Sequence, residues 1–225
     1  MTDTTPQRAM VLVAGDDVDH DLLQAAPALS RIASDAGFIT TPAAGMQRFV
    51  DPFESTANQD VFLLYKAGGE FTPAQQEAFA ERIRNGGGVV ALHCSNVMGS
   101  VEPDAANSFA TWFGVLGNHY LSHGPGYHKG MQRIEVVAQH PITEGVSDFE
   151  LYDEFYEFEF ADGDHEILAQ RRRDQDGEII PVLYTRELGA GRVVYLALGH
   201  DMRVWGDPSF QRLVRQALNW VAHRS

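Results

Sequence analysis

Four runs of consecutive apolar residues constrain the fold of this chain more than any other feature: Met10–Val13, Val61–Tyr65, Val89–Leu92 and Val193–Leu198. A strand with one wet face alternates apolar and polar side chains. An uninterrupted apolar run belongs to a strand covered on both faces, as in a parallel sheet packed between layers of helices. The intervening segments carry helical punctuation. Ala26, Leu29, Ala33 and Ala36 fall on one helical face that stops at Gly37, a position suited to a left-handed residue, with Pro27 expected in the first turn. Phe38–Thr41 reads as the second strand. Thr72-Pro73 supplies an N-cap and a first-turn proline to a helix that runs through Phe79 and Ile83 and ends at Gly86-Gly87-Gly88. Strand-then-helix units repeated through the first half predict a doubly wound α/β sheet.

The second half is less regular. A short aromatic helix is expected over 107–116, a Gly- and His-rich loop from Gly117 to Gly130, and strands over 134–137 and 155–160. In the latter, Tyr156, Phe158 and Phe160 alternate with Glu157 and Glu159, the period of a half-exposed strand. Segments 167–171 and 179–184 fit a hairpin around Asp176-Gly177, and Gly189-Ala190-Gly191 a turn into the last apolar run. Phe210, Leu213, Val214, Ala217, Leu218 and Val221 form the stripe of a closing helix, capped by Asp207-Pro208. No repeat or linker divides the chain, so residues 1–225 are expected to form one domain, with residues 1–8 a flexible N-terminus.

Composition narrows the function. A formal net charge of −14 argues against nucleic acid or an anionic membrane as partner, since both reward clustered Lys and Arg. One cysteine permits no internal disulfide. Residues Met1 to Arg8 lack the apolar core of a secretory signal, and no apolar run approaches the roughly 20 residues of a membrane span. A cytoplasmic protein is the expectation, with homo-oligomerisation open.

The residues able to carry chemistry stand at strand ends. In Val89–Leu92-His93-Cys94 a buried strand ends at a histidine, and Leu198-Gly199-His200-Asp201 ends another in the same way. Side chains at the carboxyl ends of strands in one parallel sheet face the ligand crevice. Two neutral imidazoles there, joined by a carboxylate such as Glu154, suit a divalent ion, zinc or manganese, with an open coordination position. Spacing alone does not establish such a site, because a histidine after a strand commonly serves its loop and no H-E-x-x-H or C-x-x-C motif is present. Glu154 and Tyr156 share a side if the aromatic strand already begins at Asp153-Glu154. Of His119, His123 and His128, which crowd one loop, a single member, His123, is expected in the site. His140, before Pro141, reads as a turn residue. Cys94 lacks the small neighbours of a nucleophile elbow and reads as a packed residue. Asp16, Asp17, Asp19 and Asp21 read as a solvated loop and helix start. Trp205 either stacks on a sugar or anchors the last helix.

These motifs together resemble the ThuA-like (trehalose utilisation) family, within the class I glutamine amidotransferase-like superfamily. The resemblance runs from Met10 to Val221 and rests on Gly86-to-His93, Gly117 through Tyr120 to His123, His140-Pro-Ile-Thr, Asp153-Glu154-Phe-Tyr156 and Gly191-to-His200, with Trp205 and Asn219-Trp220 closing it. It implies a flavodoxin-like three-layer sandwich with a mostly parallel central sheet. His93 stands where true amidotransferases carry their cysteine, so glutaminase chemistry is not implied. Asn118 and Gly124 replace a glycine and a proline usual in the family. The resemblance further implies sugar catabolism beside NAD-dependent sugar dehydrogenases that make 3-keto sugars. The leading expectation is a metal-assisted hydrolase, lyase or isomerase acting on an oxidised (3-keto) glycoside or disaccharide. His93, Glu154 and His200 would be catalytic, His93, His123, His200 and Glu154 would hold the metal, and His123, Tyr156, Asp201 and Trp205 would contact the sugar. The alternatives are a non-catalytic carbohydrate-binding or partner-docking module and, third, a Cys94-dependent hydrolase.

Overall fold

The computed structural model describes residues 6–50, 56–97, 109–126 and 128–224. Its spine is a nine-stranded sheet in the order β2-β1-β3-β4-β11-β10-β9-β6-β7. Five strands form the parallel core: β1 (Arg8–Gly15), β2 (Ile39–Ala44), β3 (Val61–Ala67), β4 (Gly88–Leu92) and β11 (Gly191–Leu196). All four apolar runs of the sequence lie in these strands or extend just past them, and β3 and β4 are buried along their whole length. Four antiparallel strands extend the sheet: β6 (Lys129–Val136), β7 (Phe149–Glu154), β9 (Glu166–Arg172) and β10 (Ile179–Leu188). Helices cover both faces. On one, α1 (Leu22–Asp35) packs beside α5 (Pro208–Val221). On the other, α2 (Pro73–Arg84) packs beside α3 (Ala110–Leu116). The α/β sandwich expected from the sequence is the architecture the chain adopts.

Local chemistry sets the boundaries. Thr72 and Gln75 close a reciprocal capping box at the start of α2. Asp207 caps α5 through the N–H groups of Ser209 and Phe210, and the apolar stripe of α5 is buried against β4 and β11. Each such large side chain contributes about 1.5–3 kcal/mol over its exposed state. Gly15 ends β1 at φ +130°, where a Cβ would lie 1.8 Å from the Ala67 carbonyl oxygen, so the β1 and β3 tips approach as only glycine allows.

Several expectations need correction. Pro27 lies inside α1 rather than in its first turn, because Asp21 caps the helix and starts it at Leu22. The N-terminal segment is ordered sooner than expected: Arg8 already pairs with Ile39 in β1, and residues 1–5 lie outside the described residues. The expected 117–130 loop contains β5 (Asn118–Ser122), which pairs with β8 (Glu157–Phe160) as a separate two-stranded sheet. The aromatic helix begins at Ala110, with 107–108 outside the described residues. Glu154 closes β7 instead of opening the aromatic strand, and Phe155 and Tyr156 form the break before β8.

β7 is the edge strand, five positions from β4 in the sheet order. On a flat sheet this is about 24 Å at the usual strand spacing. The antiparallel half instead coils back, aided by the register shifts of β10 against β9 around Pro181 to Tyr184. The end of β7 therefore closes over the tips of β4 and β11, where Asp153 accepts the backbone N–H groups of Gly199 (2.8 Å) and His200 (3.0 Å).

Candidate metal centre

His93 follows β4 in a tight 3-10 turn, His93–Asn96, with φ +43°. A left-handed φ is rare for a residue with a Cβ and persists only where the surroundings enforce it. Here the Tyr195 hydroxyl donates to the His93 carbonyl (2.8 Å). The ring stacks on Tyr156 at 4.1 Å, and Nδ1 lies 2.7 Å from the Ala197 carbonyl oxygen. A carbonyl can only accept, so Nδ1 carries a hydrogen. Nε2 meets Glu154 Oε2 at 3.2 Å, so a proton or a cation stands between the two.

Three histidines surround the same oxygen. His200 Nδ1 lies 3.2 Å from Glu154 Oε2, and His20 Nε2 lies 3.8 Å from it. One donor atom from each of His20, His93, His200 and Glu154 lies within 4.8 Å of the others, and all four residues are buried. With metal–ligand bonds near 2.0–2.2 Å, donors around a tetrahedral ion stand about 3.4 Å apart. His20 Nδ1 and His200 Nδ1 are buried without a well-directed hydrogen bond. For His20 this holds although Asp17 Oδ2 is only 3.2 Å away. Mixed imidazole and carboxylate donors, buried and crowded round one carboxylate oxygen, fit a divalent transition ion.

The electrostatics agree. Burial, then the neighbouring His93 and His200, lowers His20 to about 4, so its ring is uncharged at neutral pH, the form that coordinates a cation. Burial alone would raise the Glu154 carboxyl. The close imidazoles of His200 and His93 outweigh it and hold the group well below the usual carboxylate range.

Glu154 divides the site between its two oxygens. Oε2 faces the three buried histidines, while Oε1 faces a more open side with His123 (3.5 Å), Lys129 (3.7 Å) and His128 (3.8 Å). His123 also meets the Tyr120 hydroxyl through Nδ1 (2.9 Å), and Lys129 Nζ lies 2.7 Å from His200 Nε2. Thus two of the three loop histidines approach the carboxylate, where one was expected. His119 points elsewhere, pairing with Glu159 and resting on Phe113.

Of the expected sugar contacts, His123 and Tyr156 reach the cluster, and Asp201 and Trp205 do not. Asp201 caps α4 (Met202–Trp205) and is held by Arg203. Trp205 is 2% exposed, donates its indole N–H to the Gly199 carbonyl (2.8 Å) and abuts Tyr65 edge-on. It offers no face to a sugar and anchors the His200 turn, the other role open to it. His140 is a turn residue as expected, its Nδ1 accepting the Ile142 N–H. Asn118 links two elements, accepting from Asn96 (2.7 Å) and donating to the Tyr184 hydroxyl (2.5 Å).

Cys94 is fully buried, and burial pushes its thiol well above the ordinary range, the opposite of an activated nucleophile. A disulfide reagent such as DTNB is therefore expected to modify native protein only at the rate of global unfolding, and to react at once in denaturant. Rapid stoichiometric labelling of the folded protein would contradict this burial.

Sequence reasoning overlooked His20, Lys129 and Asp153. His20 follows β1, whose tip belongs to the same row as those of β4 and β11, so the strand-end rule applied to His93 and His200 would have found it. Its four aspartate neighbours drew the loop into the solvated class. Lys129 and Asp153 carried no comparable signal.

This fold and site define an α/β sandwich with a histidine–carboxylate centre built on the tips of its parallel strands. The chain belongs to the ThuA family, described as trehalose utilisation, which it matches over residues 8–221, and a role in sugar metabolism follows from that membership. Among solved structures it is similar to a ThuA-like protein from Bacteroides uniformis ATCC 8492 (18% identity, TM-score 0.78, covering 98% of this chain and 94% of that one). It is also similar to a ThuA-like protein from Parabacteroides merdae ATCC 43184 (19%, 0.76, covering 97% and 90%). A cytoplasmic protein from Salmonella typhimurium shares the fold as well (14%, 0.64, covering 94% and 98%). A comparison with curated proteins found no match. Among the described residues no helix is long and apolar enough to cross a membrane.

Proposed function

We propose that this protein is a metal-assisted hydrolase, lyase or isomerase of an oxidised, 3-keto glycoside or disaccharide. The observation that supports this most is the approach of His93 Nε2 to Glu154 Oε2 (3.2 Å), with His20 and His200 completing a buried donor set. His20, His93, His200 and Glu154 would hold the ion, zinc or manganese; His20 joins the set expected from the sequence, and His123 leaves it for the open side. Once bound, a divalent ion supplies Lewis-acid polarisation of a carbonyl oxygen. Polarising a keto group acidifies the adjacent C–H, and the chain must then move that proton. His123 is suited to this: it is partly exposed, oriented by Tyr120, 3.5 Å from Glu154 Oε1, and burial lowers its pKa so that the neutral, proton-accepting ring is favoured. Lys129, beside both Glu154 and His200, places a donor where negative charge would develop on the substrate. A dehydrogenase that oxidises the sugar with NAD would supply such a substrate, and a cytoplasmic location suits that partnership.

Metal removal tests the reading. An ion present at about 100 times its dissociation constant stabilises the folded state by about 2.7 kcal/mol. For a chain of this length that corresponds to a melting temperature roughly 5–10 °C higher. Exhaustive chelation is expected to lower the melting temperature by that amount and abolish turnover of 3-keto glycosides, and zinc or manganese to restore both. Full turnover after chelation, confirmed by elemental analysis, would sink the proposal.

A further inference from the structure

On the open side of Glu154 lies a second feature that the metal centre does not use. A cavity of about 180 Å³ opens beside His123, walled by Gln132, Phe155 and the arginine-rich end of β9. That volume corresponds to about six water molecules at ~30 Å³ each, enough for a small charged substituent. It adjoins the centre directly: His123 touches Glu154 Oε1, Gln132 Nε2 donates to the Glu154 carbonyl oxygen (3.0 Å), and Phe155 is the next residue in the chain.

Four arginines line this cavity against Glu135 and Asp174, a positive spot on a chain of net charge −14. Three of them are already neutralised. Arg172 pairs with Glu135 (3.1 Å), Arg133 with Asp148 (3.0 Å), and Arg173 with Glu157, Asp176 and Glu178. Arg171 differs. It is 5% exposed, yet among the described residues its hydrogen bonding is limited to one long contact from Nη2 to the Tyr156 carbonyl oxygen at 3.5 Å. Among the described residues its nearest carboxylate oxygen, Glu157 Oε1, lies 4.0 Å away and is held by Arg173 at 2.5 Å. The guanidinium otherwise rests against the Phe155 ring, 5.0 Å from its centroid. A guanidinium carries five N–H donors in a planar fork shaped for two oxygens of one anion.

We propose that this cavity is an oxyanion subsite: Arg171 binds a carboxylate or phosphate carried by the substrate, so that the sugar processed at the centre is an anionic derivative. This rests on the reading of the histidine–glutamate cluster as the reaction centre and adds the substrate class. The substituent lies against Arg171 while the reacting part of the sugar reaches past His123 to Glu154.

The test is calorimetric titration of the full chain, metal-loaded and chelated, with glucuronate, glucose 6-phosphate and glucose. At least one acid is expected to bind at least about 10-fold tighter than glucose, and the preferred acid identifies carboxylate or phosphate as the natural group. Arg171→Gln should weaken that acid about 10- to 100-fold and leave glucose unchanged. Arg171→Lys, which keeps the charge but not the fork, should fall between, and Arg212→Gln, outside the cavity, should behave as wild type. Should Arg171→Gln fail to fold, raising the ionic strength on wild type must selectively weaken acid binding. Equal binding of glucose and both acids, or acid binding indifferent to Arg171 and to salt, overturns the inference. The two readings fail separately: acid selectivity that depends on Arg171 in a protein that takes up no metal sinks only the metal proposal, and metal uptake without acid selectivity sinks only this one.

Discussion

Glu154→Gln is expected to weaken divalent-metal binding at least about 100-fold and to abolish turnover, while leaving the fold intact. Residues that merely support a metal ligand change affinity about 10- to 100-fold when removed, so losing the only carboxylate of the donor set sets the lower bound. The substitution keeps the shape of the side chain and removes its charge, which isolates electrostatics from packing. Six basic side chains approach this one carboxylate: His20, His93, His123, His128, Lys129 and His200. With the charge gone, a cation entering beside them meets repulsion from Lys129 without compensation. Titration of chelated protein with zinc and manganese, alongside circular dichroism, measures both halves of the expectation. Wild-type metal affinity in a folded Glu154→Gln protein would remove the carboxylate from the donor set.

His93→Ala is expected to produce an equally large loss of metal, at least about 100-fold, with a different structural signature. The position is held at φ +43°. Alanine inherits the left-handed strain while losing the Tyr156 stack and the Ala197 contact that offset it. His93→Gly loses the same contacts without the strain, so it should be more stable than His93→Ala by about 1–2 kcal/mol. Both variants should be metal-free and inactive, whereas Cys94→Ser, one residue on, should keep metal and activity within about 2-fold of wild type, because the thiol is no member of the donor set; burying a hydroxyl in its place lowers stability unless it is hydrogen-bonded. Thermal melts and metal stoichiometry on the three proteins separate the outcomes. Inactivity of a well-folded, metal-replete Cys94→Ser would revive the cysteine as the working residue.

The strand tips show why parts of the site were readable. His93 and His200 each terminate a continuous apolar run, and parallel strands align their carboxyl ends by construction, so their convergence follows from local pattern plus one topological rule. His20 obeys the same rule, but its loop of aspartates masks it. The helix caps at Thr72 and Asp207 are equally local, since each is a side chain answering N–H groups two or three residues away. Pro27 misleads for the complementary reason: the cap at Asp21 decides where α1 starts, and the proline is accommodated within it. The β5–β8 pairing joins segments far apart in the chain, and nothing in a Gly- and His-rich stretch announces its distant partner.

By itself the sequence determined the parallel core, its helices and the histidines at its strand tips, because those depend on side-chain period, capping and the alignment that parallel pairing imposes. Only the tertiary structure decided how Glu154 joins them. Its strand lies at the far edge of the sheet, and the coiling of the antiparallel half, secured by Asp153 on the Gly199–His200 backbone, returns it to the centre. The same folding orients the His93 ring and leaves Arg171 weakly paired beside a cavity, since ring orientation and hydrogen-bond supply depend on what surrounds a residue in space.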